Sequence, residues 1–290
     1  MSDALLTTLA SGLVLGSLYA LMASGLSVVW TTLGVFNFAH GALMMFGAYI
    51  AWTVSEAAGL GLLSGILAGT IVTGLVGVII ERLLIRSFYG NRNMLLITVM
   101  TTLAAMIIIE KGAQMIWGAR LKQLPRLIEG EVSLFGTTVS AHEALIIGLA
   151  PTILLALWAF TTITSTGRSL RAVGQNQTSA ALIGIHVPRA FSIAFAISAG
   201  LAGLTGALLG SIRFITPAMG SEPLVKAMIV VIFGGLGSLG ATAGAAYVIG
   251  MLEAILILTV GLYWTPSLMF LVMIIVLVLR PNGLFGRRLI

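Results

Sequence analysis

TGRSLRAVGQNQTSAALIGIHVPR, residues Thr166–Arg189, is a polar interval of two dozen residues set between long apolar runs. It carries Arg168, Arg171 and Arg189 and no Asp or Glu. The flanking runs, 142–163 and 190–212, are long enough to cross a bilayer, which takes about 20 apolar residues. Only helices and closed barrels satisfy their own backbone in lipid, and runs this long are helical. The chain therefore reads as an all-α polytopic membrane protein. Composition agrees. Of 290 residues, 59% are hydrophobic and 8% charged, against about 25% charged in a soluble domain. Mean hydropathy is +1.11.

Working outward, candidate spans fall at 5–29, 34–54, 61–80, 94–117, 142–163, 190–212, 240–260 and 265–280. That is about eight transmembrane helices within one domain covering 1–290. Leu224–Phe233 is a ninth apolar stretch, too short to cross easily, and Gly234 and Gly235 bound it. If it crosses, the count is nine. The N-terminus, MSDALLTTLA, lacks a basic region and runs straight into a span, so no cleavable leader is expected.

Basic residues gather in three places: Arg82, Arg86 and Arg92; Arg168, Arg171 and Arg189; Arg280, Arg287 and Arg288. These nine of the fifteen basic residues can all be cytoplasmic together, as the positive-inside bias requires. The N-terminus is then periplasmic, the C-terminus cytoplasmic, and the loop 118–141 extracytoplasmic. Its VSLFGTTVS reads as a small hairpin. The net charge of +6 is thus a topology signal, not a nucleic-acid one. Without cysteine, neither a disulfide framework nor a thiol-ligated metal is available.

Two segments are interrupted by glycine, one near each end of the chain: LGVFNFAHGALMMFGAYIAW (Leu33–Trp52) and IFGGLGSLGATAGAAYVIG (Ile232–Gly250). Paired interrupted segments point to a substrate path in transporters. Asn37 and His40 are three residues apart and share a face if the segment is helical. They line a path or bond a neighbouring helix. Glu110, Lys111, Lys226 and Glu253 also lie within or beside spans, either as functional groups or as side chains reaching for water. Two carboxylates at depth are few for a proton relay. No phosphate-cradling loop, nucleophile elbow or metal-ligand cluster is present. ATP hydrolysis by this chain, a cofactor and a metal are accordingly not expected.

Within 164–189, Ser165 or Thr166 can cap a helix at Arg168–Val173, interrupted by Gly174. Asn176 or Thr178 can cap a second over roughly Ser179–Ile183. Gly184 suits its end, and Pro188 blocks continuation. The second helix offers small and apolar side chains to a groove on another protein.

The chain resembles the permease of branched-chain amino acid ATP-binding-cassette importers, the leucine/isoleucine/valine type with a periplasmic N-terminus. NFAHG (Asn37–Gly41), the interval containing SAALIG (Ser179–Gly184), VVIFGGLGSLGATAGA (Val230–Ala245) and LRPNGLFG (Leu279–Gly286) carry the resemblance in order. It implies a non-catalytic translocation subunit in a bacterial inner membrane. The implied partners are a homologous second permease, two cytoplasmic ATPase subunits and a periplasmic solute-binding protein. It also implies ATPase docking by Ala180, Ala181, Leu182 and Gly184, supported by Arg168 and Arg171. Asn37, His40, Gly41, Gly234, Gly235 and Gly237 are the corresponding candidates for the path. An acidic residue often precedes the two alanines in such permeases; here it is Ser179. The expected solute is a branched-chain or related aliphatic amino acid. The alternatives are an amide or urea, or an ion-gradient-driven secondary transporter.

Overall fold

The computed structural model describes residues 2–91, 93–134, 136–235, 237–280 and 283–284. Among them are α1 (Ser2–Leu33), α2 (His40–Trp52), α3 (Leu62–Ile80), α4 (Met94–Trp117), α5 (Ala141–Ile163) and α6 (Ser165–Gln175). There follow α7 (Gln177–Leu182), α8 (Val187–Gly210), α9 (Ser221–Gly234), α10 (Leu239–Val260) and α11 (Thr265–Leu279). A π-helical turn, Thr53–Ala57, extends α2, and turns through Phe88 extend α3. The expected hairpin is present as β1 (Glu131–Leu134) and β2 (Thr137–Ser140), antiparallel, with Glu131 opposite Ser140.

Six described helices are long and apolar enough to cross a membrane: α1, α3, α4, α5, α8 and α10. α1 and α8 form the centre, with 89% and 78% of their most apolar stretch buried, against 17% for α4 and 22% for α5. The outer helices thus turn large aliphatic side chains outward, such as Leu96, Ile108 and Leu155. That surface suits lipid or a partner helix and is unfavourable in water.

Apolar attraction does little between helices in lipid, so close contact relies on small residues. Gly12 and Gly16 of α1 lie against Met251 and Tyr247 of α10, and Gly250 faces Gly16 in return. Gly47 of α2 meets Gly203 of α8, which also meets Gly69 of α3. A Cβ on Gly206 would overlap the Met44 carbonyl, whereas one on Gly112 of α4 meets nothing within 4 Å. Gly206→Val is therefore expected to destabilise by about 1–3 kcal/mol. Gly112→Ala should be neutral or slightly stabilising. Thermal melts of the purified permease in detergent check both, and equal melting temperatures would refute the close-packing account.

The expected span 34–54 is not one continuous helix. α1 ends at Leu33, and residues 34–39 turn back into the bundle without helical structure. Trp30 packs against Phe36 in a tilted pair, 4.4 Å between ring centroids, and the Phe38 amide donates to Thr102 Oγ1 of α4 at 3.3 Å. α2 begins only at His40. Non-helical backbone is tolerated at membrane depth when it is buried in protein. α9 is the second short piece, about 21 Å long at 1.5 Å per residue. Its N-cap, Gly220, abuts Gly41. The two half-length helices thus start side by side inside the bundle. α2 runs toward the hairpin end and α9 toward the α6–α7 end. Residues 211–220 complete the second segment, with Ile215 and Lys122 exchanging backbone hydrogen bonds.

Arg82, Arg86, Arg168, Arg171, Arg189 and Arg280 all lie toward the α6–α7 end of the bundle. Arg92, Arg287, Arg288 and half of the LRPNGLFG segment fall outside the described residues. The Leu284 amide donates to the Phe233 carbonyl at 2.8 Å, which ties the chain after α11 to the end of α9.

Candidate functional site

The polar interval folds as two capped helices. Thr164 Oγ1 accepts from the Gly167 amide at 3.0 Å, so the cap lies before Ser165 and Thr166, the expected positions. α6 continues through Gly174, which does not interrupt it. Gly174 is small for another reason: it presses on the Thr31 carbonyl at the end of α1. Asn176 Oδ1 caps α7 from the Ser179 amide at 2.9 Å, as one reading expected, and α7 runs Gln177–Leu182. Its end is a Schellman motif. Gly184, at φ +87, donates to the Ala181 carbonyl, and Ile185 donates to the Ala180 carbonyl. The left-handed conformation required there suits glycine.

This geometry divides the expected docking residues. Ala180 is buried, whereas Ala181 and Gly184 are exposed. Leu182 is 84% exposed and its neighbour Ile183 is 75% exposed. Ile183 was not among the expected residues, although the LeuIle pair inside a polar interval was the available signal. Arg168 and Arg171 turn back to the end of α5. Arg168 Nη1 donates to the Ile163 carbonyl at 2.7 Å, and Arg171 Nη2 to the Thr162 carbonyl at 3.3 Å. They satisfy carbonyls that the last turn of a helix leaves open, where positive charge is also favourable. α6 is thus fastened to α1 and α5, and the apolar tip of α7 projects from it. A groove of about 760 Å³ is lined by Thr31–Gly34 and Gly174–Thr178, with Gly237 on its wall.

A second fastening joins α3 to α8 just beyond α7. Glu81 is fully buried. Its carboxylate accepts from Tyr89 Oη at 2.5 Å, Ser192 Oγ at 2.6 Å, and Arg86 Nε and Nη2 at 3.1 and 3.2 Å. Burial, then the adjacent carboxylate, hold the Tyr89 phenol protonated well above its ordinary range. The network ties the end of α3 to the start of α8, where Arg86 Nη2 also donates to the Pro188 carbonyl at 3.4 Å.

Asn37 and His40 do not share a helical face, because the helix begins at His40. Asn37 Oδ1 accepts from the Ala39 amide at 3.0 Å, and its carbonyl accepts from the His40 amide. Asn37 Nδ2 is buried with no partner among the described residues. His40 bridges two central helices: Nε2 to the Met22 carbonyl at 3.0 Å, Nδ1 to Ser198 Oγ at 3.2 Å. Gly25 leaves room for its ring. Gly41 abuts Gly220 in the same region. Gly234, Gly235 and Gly237 instead form the turn from α9 to α10, with Gly235 and Gly237 at positive φ. The expected path residues therefore fall into two groups at different depths.

The ionisable residues sort cleanly. Glu110 and Lys111 lie on the outer side of α4; Lys111 is exposed, with its ammonium 3.5 Å from Gln114 Oε1. Lys226 and Glu253 are buried and paired at 2.5 Å. Tyr19 Oη donates to the other oxygen of Glu253 at 2.7 Å, and Lys226 also reaches Glu222 at 2.6 Å. This network links α1, α9 and α10. Tyr19 and Glu222 carry no mark in the sequence, because nothing local reveals their convergence. Among the described residues, no group of His, Cys, Asp or Glu is placed to hold a metal ion.

The family model for the branched-chain amino acid transport system permease component matches residues 8–277. The high-affinity branched-chain amino acid transport system permease protein BraD of Pseudomonas aeruginosa is 30% identical, covering 97% of this chain and 96% of that protein. LivH of Escherichia coli K12, with the same description, is 29% identical over 96% of this chain and 94% of that protein. The autoinducer 2 import system permease protein LsrC of Enterobacter sp. is 26% identical over 92% of this chain and 74% of that protein. PsaBC from Streptococcus pneumoniae in complex with Fab aligns at 17% identity over 94% of this chain and 90% of that one, but its TM-score of 0.42 carries no argument. A match along almost the whole length, joined to a bundle of membrane-length helices, decides the matter: this chain is a multi-pass membrane protein and belongs to the branched-chain amino acid transport system permease component family.

Proposed function

We propose that this chain is a translocation subunit of an ATP-binding-cassette importer that carries branched-chain or related aliphatic amino acids inward across a bacterial inner membrane. The family match over residues 8–277 carries this reading. The N-terminus is periplasmic and the C-terminus cytoplasmic; the clustering of basic side chains toward the α6–α7 end supports that orientation. Nine passages fit this parity, counting the broken segments 34–57 and 211–234 as one each. The α6–α7 tip is the cytoplasmic docking site for an ATPase subunit. Leu182 and Ile183 support the assignment, since two large aliphatic side chains held out from a polar interval favour a partner's groove. The fastenings of α6 to α1 and α5, and of α3 to α8, pass the motion of the ATPase pair into the bundle. His40, with both ring nitrogens bonded to central helices, positions α2, and Asn37 and Gly41 lie beside the α2–α9 junction where a path is interrupted. Gly234, Gly235 and Gly237 form its cytoplasmic edge. A second permease subunit completes the path, and a periplasmic binding protein delivers the solute.

Uptake by the reconstituted complex, with its ATPase and binding protein, tests this directly against leucine, isoleucine, valine, aliphatic amides and urea. The expected result is ATP-dependent leucine uptake that persists after proton and sodium gradients are collapsed. Uptake that follows an ion gradient without ATP would overturn the proposal. Preferential uptake of amides or urea would replace the solute and leave the mechanism standing.

A further inference from the structure

We infer that Arg213, Glu222 and Lys226 form a recognition subsite for the zwitterionic end of an amino acid inside the permease. The inference rests on the amino-acid reading above and adds a place and a chemistry to it. These three residues surround a small cavity of about 20 Å³ among α1, α2, α8 and α9. That is room for about one water molecule. The other wall is apolar and includes Leu18, Met22, Met44 and Leu209.

The charges are arranged for exchange. Two cations, Arg213 and Lys226, sit with two carboxylates, Glu222 and Glu253. Lys226 is pinned from below by Glu253, which is itself 2% exposed and held by Tyr19. Its other partner, Glu222, is 59% exposed and one helical turn away on α9. Facing solvent, this contact is screened more than the buried one to Glu253 and is the easier of the two to break. An arriving amino acid can therefore displace Glu222 from Lys226 at small cost. Its carboxylate then takes Lys226 and Arg213, and its ammonium takes the released Glu222. The solute and the cluster are each neutral overall, so no net charge is buried. The side chain is left against the leucine and methionine wall. Methionine, with its flexible thioether, accommodates aliphatic groups of differing branching. In the state described here the cavity is closed around Lys226, and admitting the solute requires Glu222 and Arg213 to swing outward.

The absence of native cysteine makes a clean test available. Thr205 lines the same cavity. In the assembled complex in nanodiscs, where both faces meet solution, Thr205→Cys is alkylated by a small thiol reagent. Millimolar leucine is expected to slow that reaction at least about fivefold, as for a ligand at several times its Kd. Leucinamide, lacking the carboxylate, and 4-methylpentanoate, lacking the ammonium, should protect far less at the same concentration. Glu222→Gln should remove the protection, and Glu222→Asp should retain part of it. Equal protection by all three solutes, protection by none, or a thiol that never reacts would each overturn the subsite. The same complex is assayed for ATP-driven leucine uptake. Uptake without protection defeats the subsite alone, whereas a complex that moves no amino acid defeats the proposed function.

Discussion

Leu182→Glu is expected to abolish solute uptake while the permease remains in the membrane at its usual level. Leu182 is 84% exposed and Ile183 is 75% exposed, and among the described residues neither belongs to the packed core. Burying one such side chain in a partner groove contributes about 1.5–3 kcal/mol. Placing a carboxylate there instead adds an unpaired buried charge. Together these weaken association by about a hundredfold or more, at 1.4 kcal/mol per decade. Co-purification of the ATPase subunit and uptake in proteoliposomes should fall together, and Leu182→Met should restore both. Normal uptake by Leu182→Glu would sink the docking assignment. Gly184→Glu is also expected to block uptake, but less informatively. At φ +87 a side chain there strains the backbone by about 1–2 kcal/mol, although the space around it is open. Loss of function at Gly184 therefore mixes a damaged helix end with a lost contact; loss at Leu182 does not.

The second large effect is on stability. Lys226→Met leaves Glu253 buried with Tyr19 as its one remaining hydrogen-bond partner among the described residues, an uncompensated charge that costs about 3–5 kcal/mol. Removing the charge as well, in Lys226→Met/Glu253→Gln, should recover most of that loss, because neutral groups of similar volume are tolerated where a lone ion is not. Thermal melts monitored by size-exclusion chromatography in detergent provide the measurement. If the double variant melts as low as the single one, the two residues do not act as a unit. Recovery of the fold without recovery of leucine protection at Thr205→Cys is the combination expected from a pair that both holds three helices and orders the solute subsite.

How far the sequence reaches depends on whether the deciding physics is local. The hairpin at VSLFGTTVS, the cap at Asn176 and the terminating role of Gly184 are local, and the structure agrees with each; the span 34–54 is not, because its first residues are held in non-helical form by contacts with distant helices. Gly174 was misread because the same residue type serves two ends. Glycine interrupts a helix on propensity grounds, but here it lets α6 touch the Thr31 carbonyl. The spacing of Asn37 and His40 gives them one face only if the segment is helical, yet residues 34–39 are non-helical and the helix starts at His40. Arg168 and Arg171 looked available to a partner; their nearest acceptors are the open carbonyls of α5, reached once α6 folds back.

Composition and the apolar period determined by themselves that this is a helical membrane protein with a polar interval near 164–189. The low dielectric of lipid leaves a 20-residue apolar run little choice but to close its own hydrogen bonds. What only tertiary structure decided is where distant groups meet. It brings Tyr19 and Lys226 onto the Glu253 carboxylate, sets Gly41 beside Gly220 so that two half-length helices start together, and turns Ala180 inward while Leu182 and Ile183 face out. These outcomes depend on long-range packing and on compensation of buried charge, for which the local sequence holds no signature.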